Sequence, residues 1–239
     1  MLRIAIIGHG KMGRELEAVA IERGHQIALI VDKDNIADLN AQNARGIDVA
    51  LEFTSPQTAY KNVRQCLAIG LPVVCGTTGW NDQLPELAEL AQKGEGALFY
   101  ASNFSVGMHI FFKINALAAR CMATIGGYDV AIKETHHTQK LDAPSGTAIA
   151  MANVIAAENG AVDGWTLLPE RCNGKIPIEA IREGQVFGNH EVVYASACDV
   201  ITVEHKAKGR RGLALGAVMA AEFTAGKRGF FGMDDLIPL

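Results

Sequence analysis

The chain contains 239 residues, of which 49% are hydrophobic, and carries a formal net charge of −4. This length suits one large or two modest domains with a substantial core, and the slight acidity gives no reason to expect a nucleic-acid partner. No apolar run reaches the length that spans a bilayer, and the first residues lack the apolar region and cleavage site of a signal peptide. Five scattered cysteines without CxxC spacing indicate reduced thiols, so we expect a cytoplasmic protein without a membrane partner.

The beginning of the chain predicts a nucleotide-binding βαβ unit. An isoleucine-rich run at 2–7 is typical of a buried parallel strand, and it leads into a full G-x-G-x-x-G motif at 8–13. A helix ending near Arg23 and a strand at 26–31 follow. Glycines in such a turn permit a tight bend, the approach of a pyrophosphate and close packing of the helix. The pattern therefore predicts that a dinucleotide is bound by Gly8, Gly10, Lys11, Met12, Gly13, Asp32 and Lys33.

The end of the second strand leaves the choice of nicotinamide cofactor open. Asp32 can accept hydrogen bonds from the adenosine ribose hydroxyls, which favours NADH. Lys33, beside it, can instead pair with the 2′-phosphate of NADPH. We therefore expect either NADH or NADPH as the cofactor.

Alternating strands and helices then predict a doubly wound parallel sheet. Residues 34–48 are polar and show no clear strand. The expected strands lie at 47–53, 71–75 and 97–100, and the expected helices at 58–69 and 82–93. Ligands of such sheets gather beyond the carboxyl ends of the strands, and a ring that transfers hydride needs an apolar wall and partners for its carboxamide. We expect the nicotinamide end of the cofactor at Phe53, Thr54, Gly76, Thr77, Thr78, Ala101, Ser102, Asn103 and Phe104.

The pattern changes after residue 107. An apolar helix at 108–122 leads to short apolar runs that predict a largely antiparallel or mixed sheet with one covered face. These runs lie at 128–134, 179–182, 186–191, 191–197 and 200–205, and an apolar helix at 213–225 is expected to return to the first domain. The expected fold is α/β, with a Rossmann-type doubly wound parallel sheet and a smaller α+β domain with a mixed sheet for substrate binding and oligomerisation. The expected domains are 1–106, completed by 216–239, and 107–215.

The stretch from Lys133 to Ala148 carries the candidate chemistry. His136 and His137 are expected at the end of a strand, followed by Lys140 in a loop. A histidine can move protons near pH 7, and a lysine can hold or protonate a carboxylated substrate. Neighbouring histidines project differently, and no Cys, Asp or Glu at ligand spacing completes a set, so no metal is expected.

A turn of small residues closes this stretch and precedes a good helix former at 148–158. The amides of Gly146 and Thr147, after Ser145, should therefore lie near a helix N-terminus, where backbone donors favour an anion. Together with the histidines and the lysine, they indicate a small site for a dianionic acid.

The string Glu134-x-His-His-x-x-Lys-x-Asp-Ala-Pro-Ser-Gly-Thr-Ala148 resembles the signature of the 4-hydroxy-tetrahydrodipicolinate reductase (dihydrodipicolinate reductase) family of lysine and diaminopimelate biosynthesis. The motifs at 76–80 and 102–107 are similar to family motifs that contact the nicotinamide, and residues 229–236 resemble the family's ending. The resemblance implies an NAD(P)H-dependent reductase of a small cyclic dicarboxylate, and a homotetramer built through the sheet of the second domain.

The resemblance also implies roles for individual residues. His136 is the general acid, and Lys140 supplies a proton or stabilises charge. His137 and Lys140 hold one carboxylate of the substrate, while the amides after Ser145, at Gly146 and Thr147, hold the other. Arg210 aligns with the family's active-site arginine. It lies in the one basic cluster, residues 205–212, which in an acidic chain is only weak evidence for nucleic-acid binding.

The chain departs from the family in two places. Many relatives have a longer segment at the position of 34–48 and one more residue in the glycine turn. The resemblance therefore does not predict which residues contact the adenine of the cofactor.

Two other functions are compatible with the glycine turn: a two-domain dehydrogenase for another amino acid or aldehyde acid, and a non-enzymatic nucleotide sensor. Neither would need the histidine stretch.

Overall fold

The computed structural model describes residues 1–238 and divides the chain into two compact units. The first unit comprises Met1–Val106 and the chain from Arg210 onward, and the second comprises Gly107–Gly209. The return to the first unit therefore starts at Arg210 rather than at residue 216. No helix among the described residues is long and apolar enough to cross a membrane.

In chain order, the strands and helices of residues 1–238 are β1 (Arg3–Ile7), α1 (Lys11–Glu22), β2 (Gln26–Val31), β3 (Val49–Glu52), α2 (Pro56–Ala68), β4 (Val73–Cys75), α3 (Leu84–Leu90), β5 (Ala97–Tyr100), α4 (Val106–Ile125), β6 (Asp129–His136), α5 (Gly146–Glu158), β7 (Trp165–Leu167), β8 (Ile176–Arg182), β9 (Asn189–Ala195), β10 (Val200–Lys206), α6 (Arg211–Thr224), β11 (Gly229–Phe231) and α7 (Met233–Leu236). Short 3-10 turns occur at Ile36–Asp38 and Asn81–Gln83, and a π-helical turn at Ala91–Glu95.

The first unit is built on a sheet with the strand order β11-β5-β4-β3-β1-β2, in which every neighbouring pair is parallel. The chain moves outward from β1 to β2 and then returns past β1 to β3. This reversal is the topological switch point at which open parallel sheets bind their ligands. The doubly wound parallel sheet predicted from the sequence is confirmed.

Both faces of this sheet are covered, which explains why its strands are apolar throughout. Ile4 and Ile6 pack on one face, in a cluster that includes residues of α1 and α6. Ala5 and Ile7 point to the other face and pack with residues of α2 and α3. Helix α6 contacts α1 and three strands of the sheet, so the expected return of this helix to the first domain is confirmed.

The second unit has a mixed sheet in the order β10-β9-β6-β8-β7. β6 is parallel to β8 and antiparallel to β9, and β10 pairs antiparallel with β9. Apolar side chains such as Ile132, Ile178 and Val192 pack with residues of α4 and α5 on one side of the sheet. The mixed sheet with one covered face was predicted correctly.

Some predicted element bounds are wrong. The two runs expected at 186–191 and 191–197 form one strand, Asn189–Ala195, and residues 186–188 lie outside it. The helix expected at 82–93 is divided into a 3-10 turn, α3 and a π-helical turn. Pro85, in the first turn of α3, begins a new helix, and Gly94, with a φ of +88°, interrupts the π-helical turn beyond the expected end.

Candidate active site

The glycine turn between β1 and α1 depends on close backbone contacts that a side chain would block. Gly8 has a φ of +92°, and a Cβ there would lie 2.3 Å from the carbonyl oxygen of Phe53. A Cβ at Gly13 would lie 2.1 Å from the carbonyl oxygen of Gly8. At Gly10 a Cβ would meet nothing within 4 Å, so the middle of the turn is open. Because α1 begins at Lys11, this opening lies at the helix N-terminus, where phosphate oxygens find backbone donors.

The acid at the end of β2 lies beside this turn. The amide of Gly8 donates a hydrogen bond to the carbonyl oxygen of Val31 at 2.8 Å, which joins the turn to β2. Asp32 follows, and its Oδ1 accepts a hydrogen bond from the backbone amide of Lys33 at 2.8 Å. Both side chains are exposed. The structure therefore brings the predicted phosphate and ribose groups together at one edge of the sheet.

A cleft of about 320 Å³ opens at the carboxyl ends of the strands next to the switch point. The rings of Phe53 and Phe104, whose centroids are 5.6 Å apart, form an apolar part of its wall. Ala101 was predicted here but does not line the cleft, whereas Pro56 and Leu213 line it and were not predicted. The lining residues are Met12, Phe53, Thr54, Pro56, Gly76, Thr77, Thr78, Ser102, Asn103, Phe104 and Leu213.

In the second unit, a buried carboxylate is bonded to the first of the two histidines. Glu134 is fully buried on β6, and its Oε2 accepts a hydrogen bond from Nδ1 of His136, the last residue of the strand. Its Oε1 accepts hydrogen bonds from Arg182 at 2.8 Å and from the backbone amide of Ser145 at 3.2 Å. Burial by itself would raise the pKa of Glu134, but the hydrogen bonds from His136 and Arg182 outweigh it, and the pKa is lowered.

These contacts define the protonation of His136. An ionised carboxylate can only accept hydrogen bonds, so Nδ1 of His136 carries a proton. The other ring nitrogen, Nε2, is therefore the atom that can exchange a proton with a ligand. This is the arrangement in which a carboxylate orients a histidine for acid–base chemistry.

A further histidine packs against this pair. His190 on β9 lies opposite Glu134 in the strand register, and its ring centroid is 5.1 Å from that of His136 in an edge-to-face contact. Nε2 of His190 is 3.3 Å from Oγ of Ser145. Burial, and then the charge of His136, lower the pKa of His190 to about 4, so its ring is neutral at pH 7.

Glu134, His136 and His190 also have the composition of a metal site, with ligand atoms within 4.8 Å of one another. Both oxygens of Glu134 are, however, already bonded to donors, and the guanidinium of Arg182 opposes a second cation there. We therefore interpret the group as a hydrogen-bond network.

The loop after His136 carries the remaining predicted groups of the second unit. Nζ of Lys140 forms hydrogen bonds to both carboxylate oxygens of Asp142, at 2.8 and 2.9 Å. Ser145 caps α5, because its Oγ accepts a hydrogen bond from the amide of Ala148 at 3.2 Å. Gly146 and Thr147 form the first turn of α5, where amides lack partners within the helix.

The remaining predicted residues are placed differently. His137 lies directly after β6, and its backbone amide donates to the carbonyl oxygen of Val186 at 2.8 Å. Arg210 is the N-cap of α6 and belongs to the first unit, whereas the histidine network belongs to the second.

Two members of the network were not predicted from the sequence. Arg182 and His190 lie in two of the expected apolar runs, at 179–182 and 186–191, and neither was assigned to the site. Both reach it through strand pairing, since Arg182 is the register partner of His136 and His190 that of Glu134. A charged residue at the carboxyl end of a predicted strand was the signal that could have identified Arg182.

The switch point, the glycine turn and the cleft are those of a Rossmann-type dinucleotide-binding protein. Solved dehydrogenases share the fold: amine dehydrogenase from Mycobacterium smegmatis gives a TM-score of 0.61 at 12% identity, over 100% of this chain and 96% of that one. Family models described as dihydrodipicolinate reductase, N-terminus, and dihydrodipicolinate reductase, C-terminus, match residues 2–104 and 107–237. The chain belongs to the dihydrodipicolinate reductase family.

Relatives that match over nearly the whole length agree with this assignment. The 4-hydroxy-tetrahydrodipicolinate reductase of Christiangramia forsetii is 43% identical, over 99% of this chain and 98% of that protein. The reductase of the same name from Neisseria meningitidis serogroup B is 33% identical, over 100% and 98%. The structure of a dipicolinate-bound dihydrodipicolinate reductase from Paenisporosarcina sp. TG-14 gives a TM-score of 0.80 at 25% identity, over 99% of each chain.

Proposed function

We propose that this chain reduces 4-hydroxy-tetrahydrodipicolinate to tetrahydrodipicolinate with NADH or NADPH, in lysine and diaminopimelate biosynthesis. The observation that carries the proposal is the buried Glu134–His136 pair. It directly precedes a loop that contains Lys140 and leads to the N-terminus of α5. It combines an oriented proton donor with groups that bind carboxylates. Family membership and the dipicolinate bound by the relative from Paenisporosarcina support the same substrate class.

The first unit fits the cofactor, which supplies the hydride. The open side of Gly10 and the N-terminus of α1 suit the phosphates, and Asp32 suits the ribose. Phe53 and Phe104 offer the ring an apolar wall. The polar lining residues Thr54, Gly76, Thr77, Thr78, Ser102 and Asn103 offer partners for the carboxamide.

His136 delivers the proton. Loss of the C4 hydroxyl as water would give the unsaturated imine, and the bound cofactor would supply the hydride to its C4. Nε2 of His136 would then protonate the neighbouring carbon, which hydride addition leaves electron-rich. Glu134 holds the proton on Nδ1 and stabilises the charged ring before the transfer. Because the pair is buried, its orientation is preserved without the substrate.

The other groups orient a dicarboxylate. His137 and Lys140 hold one carboxylate, which takes the place of Asp142 on Nζ of Lys140. The amides of Gly146 and Thr147, after Ser145, hold the second carboxylate at the start of α5. The assignment of Arg210 to substrate binding rests on its match to the family's active-site arginine alone. Such positioning can supply several kcal/mol of the reduction in the barrier.

The assembly and the setting are part of the proposal. We expect a homotetramer formed through the sheet of the second unit, because β10 is an edge strand whose Val200 and Ile201 are 61% and 40% exposed. The cysteines are free thiols, which supports a cytoplasmic setting. Asp32 and Lys33 are both exposed at the expected ribose position and support either cofactor.

The test measures oxidation of NADH and of NADPH with the freshly formed condensation product of pyruvate and aspartate semialdehyde. Pyridine-2,6-dicarboxylate, a planar dianion, is the inhibitor control. Oxidation that this dianion blocks is expected, and the two rates rank the cofactors. Cofactor binding without oxidation would contradict the proposal and would favour a nucleotide sensor or a dehydrogenase for another acid.

Variants then test the proposed roles. His136→Gln and Lys140→Ala should each lower turnover by about 10²-fold or more while the cofactor affinity stays unchanged. Lys133→Ala, which removes an exposed lysine from the same strand as His136, is the matched control and should keep full turnover. Unchanged rates in both site variants would refute the assignment.

A further inference from the structure

A second buried carboxylate lies one hydrogen bond behind the wall of the cleft. Glu52 is the last residue of β3 and is fully buried. Its Oε2 accepts hydrogen bonds from the hydroxyl of Thr77 at 2.7 Å and from the thiol of Cys75 at 3.2 Å. Its Oε1 accepts hydrogen bonds from the hydroxyl of Thr54 and from Nδ2 of Asn62, the latter at 3.1 Å. Two of these four donors, Thr54 and Thr77, line the cleft.

The four neighbours of Glu52 all present donor groups, which is the arrangement that an ionised carboxylate requires, because it can only accept hydrogen bonds. Oγ1 of Thr77 accepts a hydrogen bond from the backbone amide of Thr54 at 2.8 Å, so its own proton points to Glu52. Burial, and then the charge of Glu52, raise the pKa of the Cys75 thiol, which stays protonated and donates. Each carboxylate oxygen thus receives two donors, all of them from neutral side chains. Among the residues that the structure describes, the negative charge of Glu52 is therefore solvated by hydrogen bonds, and no cation forms an ion pair with it.

We propose that Glu52 is a positioning residue whose charge favours the oxidised form of the nicotinamide ring. It holds Thr54 and Thr77 in the wall of the cleft, and it places a fixed negative charge behind them. The proposal rests on the proposed function, which puts the nicotinamide end of the cofactor in this cleft.

The sign of the effect follows from the chemistry of the ring. The reduced ring is neutral, and it becomes cationic when the electron pair and hydrogen of its C–H bond pass to the substrate. A preorganised negative charge stabilises the positive charge that develops in this step. Because Glu52 is buried, salt screens its field much less than that of a surface carboxylate. The same charge should make the intact protein bind the oxidised cofactor more tightly, relative to the reduced one, than it otherwise would.

The test measures dissociation constants of the oxidised and reduced cofactor for the intact protein, using whichever of the NAD and NADP pairs binds more tightly. Glu52→Gln keeps the size of the side chain and removes its charge. It should weaken binding of the oxidised form relative to the reduced form by about threefold or more. The double variant Glu52→Gln/Asn62→Asp exchanges carboxylate and amide between two bonded neighbours and should restore the ratio toward that of the wild type.

The controls separate charge from shape. Glu86→Gln removes an exposed carboxylate that accepts a hydrogen bond from Tyr60, and it should leave the ratio unchanged. Equal weakening of both cofactor forms in Glu52→Gln would show that Glu52 only shapes the wall, and would overturn the inference. If thermal unfolding shows that Glu52→Gln does not fold, Glu52→Met is measured with the same expectation. A wild-type protein that binds neither cofactor form would overturn the proposed function as well, so the two failures are distinguishable.

Discussion

At the scale of single residues, Glu134 determines which nitrogen of His136 is free to act. Glu134→Gln removes the negative charge and replaces an acceptor with a group that can also donate. We expect kcat to fall by at least about tenfold, within the roughly 10²–10⁴ that a general acid contributes. Affinity for pyridine-2,6-dicarboxylate should change little, because Lys140 and α5 are untouched.

A charge-conserving variant distinguishes this role from a merely structural one. Glu134→Asp keeps the negative charge beside His136 and should recover part of the rate that Glu134→Gln loses. Equal values of kcat in the two variants would contradict the orientation of His136 by charge.

His190 should make the stability of the protein depend on pH. Its pKa is about 4 in the folded protein and near the ordinary 6.5 when unfolded, so between these values the unfolded chain binds more protons. Stability should therefore fall as the pH is lowered from 6.5 toward 4, with no further contribution below. At pH 5 the loss from this group is about 2 kcal/mol.

The measurement compares urea unfolding of the wild type and His190→Gln at pH 8, 7 and 5. The variant should lose about 2 kcal/mol less than the wild type between pH 7 and pH 5. Between pH 8 and pH 7 the two proteins should change nearly alike, because His190 is neutral in the folded state and mostly neutral in the unfolded state. Parallel curves down to pH 5 would show that His190 does not stay neutral in the folded state.

The sequence suggests candidate reactive residues but not the residues that support them. His136, His137 and Lys140 lie in one short stretch, and their chemistry is recognisable without a structure. Arg182 and His190 are 46 and 54 positions beyond His136 in the numbering, and only the register of β6 with β8 and β9 brings them to it. A single sequence does not show which strands pair or which residues lie opposite one another, so the network could not be predicted.

At the scale of secondary structure, α6 supports the cleft through one glycine. A Cβ at Gly216 would lie 1.8 Å from the carbonyl oxygen of Phe104, a residue of the cleft wall. Gly216→Ala must push the helix and the wall apart, and we expect it to lower the free energy of unfolding by about 1–3 kcal/mol. Cofactor affinity should fall as well.

Gly212 in the same helix is the matched control for this prediction. A Cβ there would meet nothing within 4 Å, so Gly212→Ala should be neutral or stabilise the helix by about 0.5–1 kcal/mol. Urea unfolding and cofactor titration of both variants check the pair. Equal changes in the free energy of unfolding at the two positions would contradict the prediction, because they would mean that the helix moves away from Phe104 without loss of stability.

Elements were predicted well where a local signal marks both ends. The strands Gln26–Val31 and Ala97–Tyr100 have the bounds expected from their apolar runs. The short strand Gly229–Phe231 was not predicted, because three residues contain too little pattern; it forms only by pairing with β5. The division of the helix expected at 82–93 shows that one proline can outweigh a helical composition.

At the scale of the whole molecule, the two units divide the chemistry. The first contains the glycine turn, the cleft and the buried charge of Glu52, all near the switch point of one sheet. The second contains the histidine network and the start of α5, on another sheet. The sequence indicated both units, because the first contains the glycine motif at 8–13 and the second contains the histidine stretch at 133–148.

The sheet of the second unit also leads to a prediction about assembly. β10 is at the edge of this sheet, and an exposed apolar edge strand is a template for pairing with another chain. We expect sedimentation equilibrium to show a tetramer for the wild type and smaller species for Val200→Lys/Ile201→Lys, because buried lysines oppose an apolar interface. Ile21→Lys changes a residue of α1 that is 57% exposed in the first unit, and it should leave the tetramer intact. A tetramer that survives the double substitution would move the interface away from β10, and a monomeric wild type would refute the expected assembly.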